Sequence, residues 1–160
     1  MKDHPPIKRD AAIASFSRDH HAGLLLIWKI RRGLRHSTDP ERIGNYVLYF
    51  YKADLEKHFR DEESWLFGKL PPDDELRKRA EADHQAVYAL IADLSINRKD
   101  ATLLQKLADR LEQHIRFEER QLFNHLQDVL SEEEMQAIAE RMPNGSCDLD
   151  DDWKDKFWLS

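Results

Sequence analysis

Apolar residues return at steps of three and four along four long stretches of the chain, the spacing that lines up one face of an α-helix. The first stretch runs from about Lys8 to Arg35, with Ile13, Phe16, Leu24, Ile27, Ile30 and Leu34 on its stripe, and closes at His36-Ser37-Thr38. Asp39-Pro40 reads as the N-cap and first helical residue of a second helix: an Asp side chain accepts from unpaired backbone N–H groups, and Pro has none to satisfy. This helix should continue to about Phe67, where Gly68 and Pro71-Pro72 break it. A third is predicted from Asp73-Asp74-Glu75, whose charges suit a helix N-terminus, to Asn97. The fourth extends from its cap, Asp100, to Asp128. Connections of a few residues join antiparallel neighbours, so the pattern predicts an all-α, up-down-up-down four-helix bundle.

Beyond the bundle, Ser131-Glu132-Glu133-Glu134 is a capping-box pattern for a short fifth helix that turns Met135, Ile138, Ala139 and Met142 inward and ends at Pro143-Asn144-Gly145. The division expected is a bundle with its short C-terminal helix over 1–142 and an acidic, then aromatic, tail over 143–160. Trp153, Phe157 and Trp158 lie close together there. Large rings are costly to leave in water, so the tail should dock on the bundle or on a partner, whether a second copy in a homodimer or another protein.

Composition narrows the class. A chain of 160 residues can bury one sizeable core, so neither a metal nor a disulfide is needed simply to fold it. With 35% charged residues and only 5 Gly and 6 Pro, it suits long helices with solvated outer faces. The net charge of -6 comes with scattered basic residues, which give no electrostatic footprint for nucleic acid. Cys147 is the lone cysteine and cannot pair internally, Met-Lys-Asp-His-Pro-Pro lacks the apolar core of a signal peptide, and the longest apolar run, Leu24 to Trp28, is far short of a bilayer span. A cytoplasmic protein with no membrane partner is the expectation.

Candidate chemistry comes from a repeat. His58-x-Arg60-x-Glu62-Glu63-x-x-Leu66-Phe67 returns 56 residues later as His114-x-Arg116-x-Glu118-Glu119-x-x-Leu122-Phe123. Residues four apart share a helix face. The stripe Leu48, Tyr51, Leu55, His58, Glu62, Trp65 puts the first copy in the bundle seam, and Leu104, Leu107, Leu111, His114, Glu118, with Gln121 or Leu122, does the same for the second. A fainter repeat joins the other two helices, Asp19-His20-x-Ala22 matching Asp83-His84-x-Ala86, and both histidines sit on apolar stripes. His21 is the alternative to His20 if the register is off by one. Buried carboxylates are expensive unless paired or bound to metal. Four imidazoles and two glutamates exceed what one zinc takes and suit two ions, with iron favoured and manganese or zinc as competitors.

His20, His58-x-x-x-Glu62, His84 and His114-x-x-x-Glu118 resemble the pattern of the hemerythrin-like, HHE cation-binding family over about Ala12 to Asp128. The resemblance implies a four-helix bundle with a non-haem di-iron centre that binds a small diatomic ligand, dioxygen or nitric oxide, or handles iron or senses oxygen and redox state. Ferritin-like di-iron proteins use Glu-x-x-His instead, a motif not matched at this site. Oxygen-carrying hemerythrins have a fifth histidine one turn from another on the third helix, where this chain has Ala80 and Tyr88, which argues against simple oxygen carriage. The alternatives are a redox enzyme acting on nitric oxide or peroxide at the same centre, or an interaction protein with a structural metal. No further acid-base or nucleophilic constellation stands beside the six residues. Glu63 and Glu119 turn about a hundred degrees away, into solvent or into a role orienting a ligating imidazole. Tyr51 and Tyr88 are expected either as seam aromatics or with a hydroxyl aimed at a bound ligand; Arg60, Arg116, His4, His36 and His125 are assigned no role.

Overall fold

The computed structural model describes residues 11–141 and 152–159, all helix, turn or irregular coil, with no strand among them. The first helix is Ala11–Arg35. A second helical rod starts at Pro40 and runs to Lys69 through two π-helical turns, Tyr51–Leu55 and Glu62–Leu66. The third helix is Glu75–Ile96. The fourth rod runs from Ala101 to Val129 through a π turn at Glu118–Leu122, and Glu132–Arg141 forms the short fifth helix.

The predicted caps are in place because they are local chemistry. Asp39 accepts from the Glu41 N–H, Asp74 from those of Leu76 and Arg77, and Asp100 from those of Thr102 and Leu103. Ser131 and Glu134 exchange both bonds of the capping box at 3.1 Å each. The expected helix start at Lys8, and Met142, Pro143-Asn144-Gly145, Cys147 and the 142/143 boundary, lie outside the described residues, as does His4.

Two apolar cores sit either side of a polar layer. One gathers Ala12, Phe16, Leu66, Phe67, Ala80 and Phe123 with Met135 and Ile138 of the fifth helix. The other holds Leu26, Ile30, Phe59, Val87, Leu94, Leu111 and Ile115 with Phe157 and Trp158 of the tail. The first helix packs on the second and fourth rods and on the fifth helix, and the third helix packs on the fourth rod.

Leu24 and Trp65 differ from the sequence expectation, and Leu34 and Leu48 of the same stripes are only partly buried. Leu24 is 42% exposed, because the residue of its turn that faces the core is Gly23, which a search for large apolar side chains passes over; Leu26 is buried instead. Trp65 is only half-buried and Leu66 takes its place. A π turn carries more residues per revolution, so the next inward position after Glu62 falls four residues on rather than three.

The tail docks on the bundle. Trp153 stacks on Tyr49 at 4.7 Å, Trp158 lies 4.8 Å from the Tyr46 ring, and Lys29 Nζ sits 4.1 Å from the Trp158 ring while donating to the Tyr46 hydroxyl at 3.0 Å. Arg32 donates to the Trp158 carbonyl, and Arg42 grips the Asp155 carboxylate with bonds of 2.6 and 2.9 Å. Gly33 makes the close approach possible, since a Cβ there would stand 2.9 Å from Phe157.

Candidate metal centre

Each of the four long elements brings one histidine into the polar layer, and the second and fourth add one glutamate each. His20, His58, Glu62, His84, His114 and Glu118 are all buried, both glutamates at 0% exposure. The structure brings all six together. One donor atom each from His20, His58, Glu62 and Glu118 lies within 4.8 Å of the others, and so do donors from Glu62, His84, His114 and Glu118. The two groups share both carboxylates. Glu62 Oε1 stands 3.1 Å from His84 Nε2, 3.5 Å from His58 Nε2 and 3.9 Å from His114 Nε2; Glu118 Oε1 stands 2.9 Å from His20 Nε2 and 3.2 Å from His114 Nε2. His21 is exposed, which resolves the register in favour of His20.

Every imidazole points Nε2 inward and donates from Nδ1 to a carboxylate outside the cluster. His20 bonds Glu119 at 2.9 Å, His58 bonds Asp19 at 3.1 Å, His84 bonds Glu63 at 2.7 Å and His114 bonds Asp83 at 3.0 Å. Each repeat element thus orients a histidine on a different helix: the Asp of Asp-His holds the histidine of His-x-x-x-Glu, and the second Glu of Glu-Glu holds the histidine of Asp-His. Glu63 and Glu119 are therefore orienting groups rather than free solvent-facing acids. Asp19 and Asp83 were passed over in the sequence, although their place in the repeat was the signal. Tyr88 donates to Glu63 Oε2 at 2.6 Å, so its hydroxyl serves an orienting carboxylate rather than the centre, and Tyr51 packs in an apolar core as a seam aromatic. Phe67 and Phe123, also related by the 56-residue repeat, pack against His84 and His20 at 5.0 and 5.3 Å, and Phe59 stacks on His84 at 3.9 Å. Arg60 and Arg116 are exposed in pairs with Glu56 and Glu112, His36 is exposed, and His125 bonds Asp74.

The electrostatics describe a cluster that wants positive charge. Burial alone would lower the pKa of His20, but hydrogen bonds to Glu118 and Glu119 outweigh it and push it up to about 9. His58 and His114 are raised well above the ordinary histidine value: burial opposes, and the charges of Glu62 and Glu118, respectively, prevail. Glu62 is held well below the usual carboxylate range, burial being overcome first by the charge on His58.

The donor set also fits a metal on an independent observation. His58 Nε2, Glu62 Oε2 and Glu118 Oε2 are buried without a hydrogen-bond partner, and His84 Nε2 faces His114 Nε2 at 3.1 Å. Unpaired buried acceptors are costly, and inward-facing lone pairs meet only when a proton or a cation lies between them. A cation ligated from both sides satisfies these atoms together, with neutral imidazoles and orienting carboxylates as metal sites use them.

The family model for the hemerythrin HHE cation binding domain matches residues 11–126, a span that contains all six residues and their four orienting carboxylates. Comparison with curated proteins and with solved structures returned no match.

Proposed function

The chain belongs to the hemerythrin HHE cation-binding family, and from that premise we propose that it is a non-haem di-iron protein that binds a small ligand such as dioxygen or nitric oxide, in sensing, storage or iron handling. His20 and His58 would hold one ion and His84 and His114 the other, with Glu62 and Glu118 available to both. The observation that carries this reading is the pair of overlapping four-residue groups that share two fully buried glutamates with unpartnered oxygens. An up-down-up-down arrangement accompanies it. It is supported by the order in which each element passes between the two cores: Phe16 before Leu26, Phe59 before Leu66, Ala80 before Val87, Leu111 before Phe123.

Bound iron supplies the capacity to take a small ligand and exchange electrons with it. The chain's own residues do the rest. Glu119, Asp19, Glu63 and Asp83 hold the Nδ1 protons, which fixes the tautomer and leaves each Nε2 as a donor. Phe59, Phe67 and Phe123 keep water from the imidazoles. Tyr88, at one of the two positions a turn from His84, steadies Glu63, and a set of four imidazoles leaves more room for a ligand than five would.

Metal analysis of protein purified without oxygen tests the reading. About two irons per chain are expected, falling in His114→Ala and Glu118→Ala. Zinc or manganese at the same stoichiometry would change the chemistry assigned; iron content unchanged in both variants would refute the site.

A further inference from the structure

The two halves of the centre are related by repeat, but their surroundings are not. On the His20 and His58 side a narrow cavity, wide enough for about one water-sized guest, runs in from Asp19 and Asp54 past Gly23 to His58 and Glu118, and also touches His114 of the other half. His58, 93% buried, turns its unpartnered Nε2 toward the ligand cluster here, and Glu118 contributes a second unpartnered atom. The corresponding positions on the other half are filled differently. The 56-residue offset that carries His58 onto His114 carries Asp54 onto Arg110, and Arg110 lies 3.4 Å from Asp83, the counterpart of Asp19. The offset that carries His20 onto His84 carries Gly23 onto Val87, which is fully buried. Where one half has two carboxylates at a mouth and a glycine in the wall, the other has an ion pair and a filled core.

The backbone adds to the difference. Asp54 lies on the π turn Tyr51–Leu55, whereas the matching stretch of the fourth rod, Leu107 to Leu111, is regular α-helix. A π turn widens a helix by one residue and recurs at functional positions. Here it carries Asp54 and Leu55 around the cavity, next to Phe50 of the preceding turn.

We propose that this cavity is the loading route of the centre, along which a divalent cation is received by the Asp54 and Asp19 carboxylates and handed to His58 and Glu118. The proposal rests on reading the six buried residues as the metal centre. Paired carboxylates at a low-dielectric opening raise the local cation concentration and the rate of association, without having to hold the ion at rest. Gly23 leaves the passage clear: a Cβ there would stand 3.0 Å from Ile115 Cδ1, inside the cavity wall.

Stopped-flow loading of chelator-stripped full-length protein with cobalt(II), followed by its visible absorption, separates route from site. Asp54→Asn should load about 3- to 10-fold more slowly than wild type at low ionic strength, and Asp54→Arg, which copies the residue of the other half, more slowly still. The gap should narrow as salt screens the mouth. Both should reach the wild-type end point of about two ions per chain. Gly23→Ala should also load slowly, without the salt dependence, and Glu133→Gln, an exposed acid on the fifth helix, at the wild-type rate. Wild-type rates in Asp54→Asn and Asp54→Arg would overturn the route and leave the centre standing. A lowered end point in Asp54→Asn would make Asp54 part of the holding site and overturn the route as well. Failure of the wild-type protein to take up cobalt would refute the metal centre itself, and the route with it.

Discussion

At the scale of single residues, the centre depends as much on the four carboxylates outside it as on the six groups inside. Glu63 bonds the Nδ1 of His84 and also takes the Tyr88 hydroxyl, so it sets the ring's tautomer and direction. Glu63→Gln keeps the shape but loses the charge that raises the imidazole's basicity; metal affinity should fall about 10- to 100-fold, read by competition with a chelating dye. An unchanged affinity would reduce Glu63 to a surface acid. The same residues fix the pH response. In the metal-free protein all four imidazoles have raised pKa values, that of His20 about 9, so their contribution to stability is complete below 6.5 and is lost as pH rises through the folded values. Glu62 is depressed from 4.5, so its contribution is present above that value and is lost as pH falls through the lower folded one. The stripped protein should therefore melt highest between about pH 4.5 and 6.5 and progressively lower toward about pH 9, while metal affinity, which requires the imidazoles to shed protons, climbs over the same interval. Thermal melts with chelator at about pH 5.5, 7.5 and 9 check it, and a flat or rising series would mean the imidazoles are neutral without metal.

At the scale of elements, two glycines in long helices face opposite outcomes from one substitution. A Cβ on Gly44 would lie 2.4 Å from the Arg98 carbonyl oxygen, a backbone atom in the turn between the third helix and the fourth rod that cannot move without shifting both. A Cβ on Gly23 meets only the flexible end of Ile115. Alanine gains about 0.5–1 kcal/mol over glycine inside a helix. Gly23→Ala should consequently be near neutral in urea denaturation, and Gly44→Ala should cost about 1–3 kcal/mol as overpacking outweighs propensity. Equal midpoints for the two would show that the crossing is loose. These positions also mark what could be read in the chain. Caps, breakers and helix lengths were legible because each is decided within four residues, as at Asp39, Asp100 and Ser131. The inward His and Glu were legible because polar groups broke an apolar stripe. The π turns were not, since a period of 3.6 does not anticipate them and points to Trp65 where Leu66 stands. Asp19 and Asp83 go unassigned because the repeat marks their positions but not their partners, His58 and His114, which stand on other helices.

For the whole molecule, the question is how much the fold depends on its centre. The polar layer places two buried carboxylates and four imidazoles across the middle of the bundle, where each unpartnered atom works against folding. On either side, however, lies an apolar core closed at its end, one by Met135 and Ile138 of the fifth helix, the other by Phe157 and Trp158 of the tail. Two such cores in a chain of 160 residues should suffice to keep the helices assembled when the metal is stripped, with protons on the imidazoles standing in for part of its charge. Removing metal should therefore leave helical circular dichroism almost unchanged but lower the melting temperature. A ligand at a hundred times its Kd stabilises by about 2.7 kcal/mol. For a domain of this size that corresponds to roughly 5–10 °C. The shift should grow with the free metal concentration and shrink in Glu118→Ala, whose carboxylate reaches both halves. Loss of helix on chelation would mean instead that the layer holds the two cores together, and that the six buried groups are a condition of the fold as well as its chemistry.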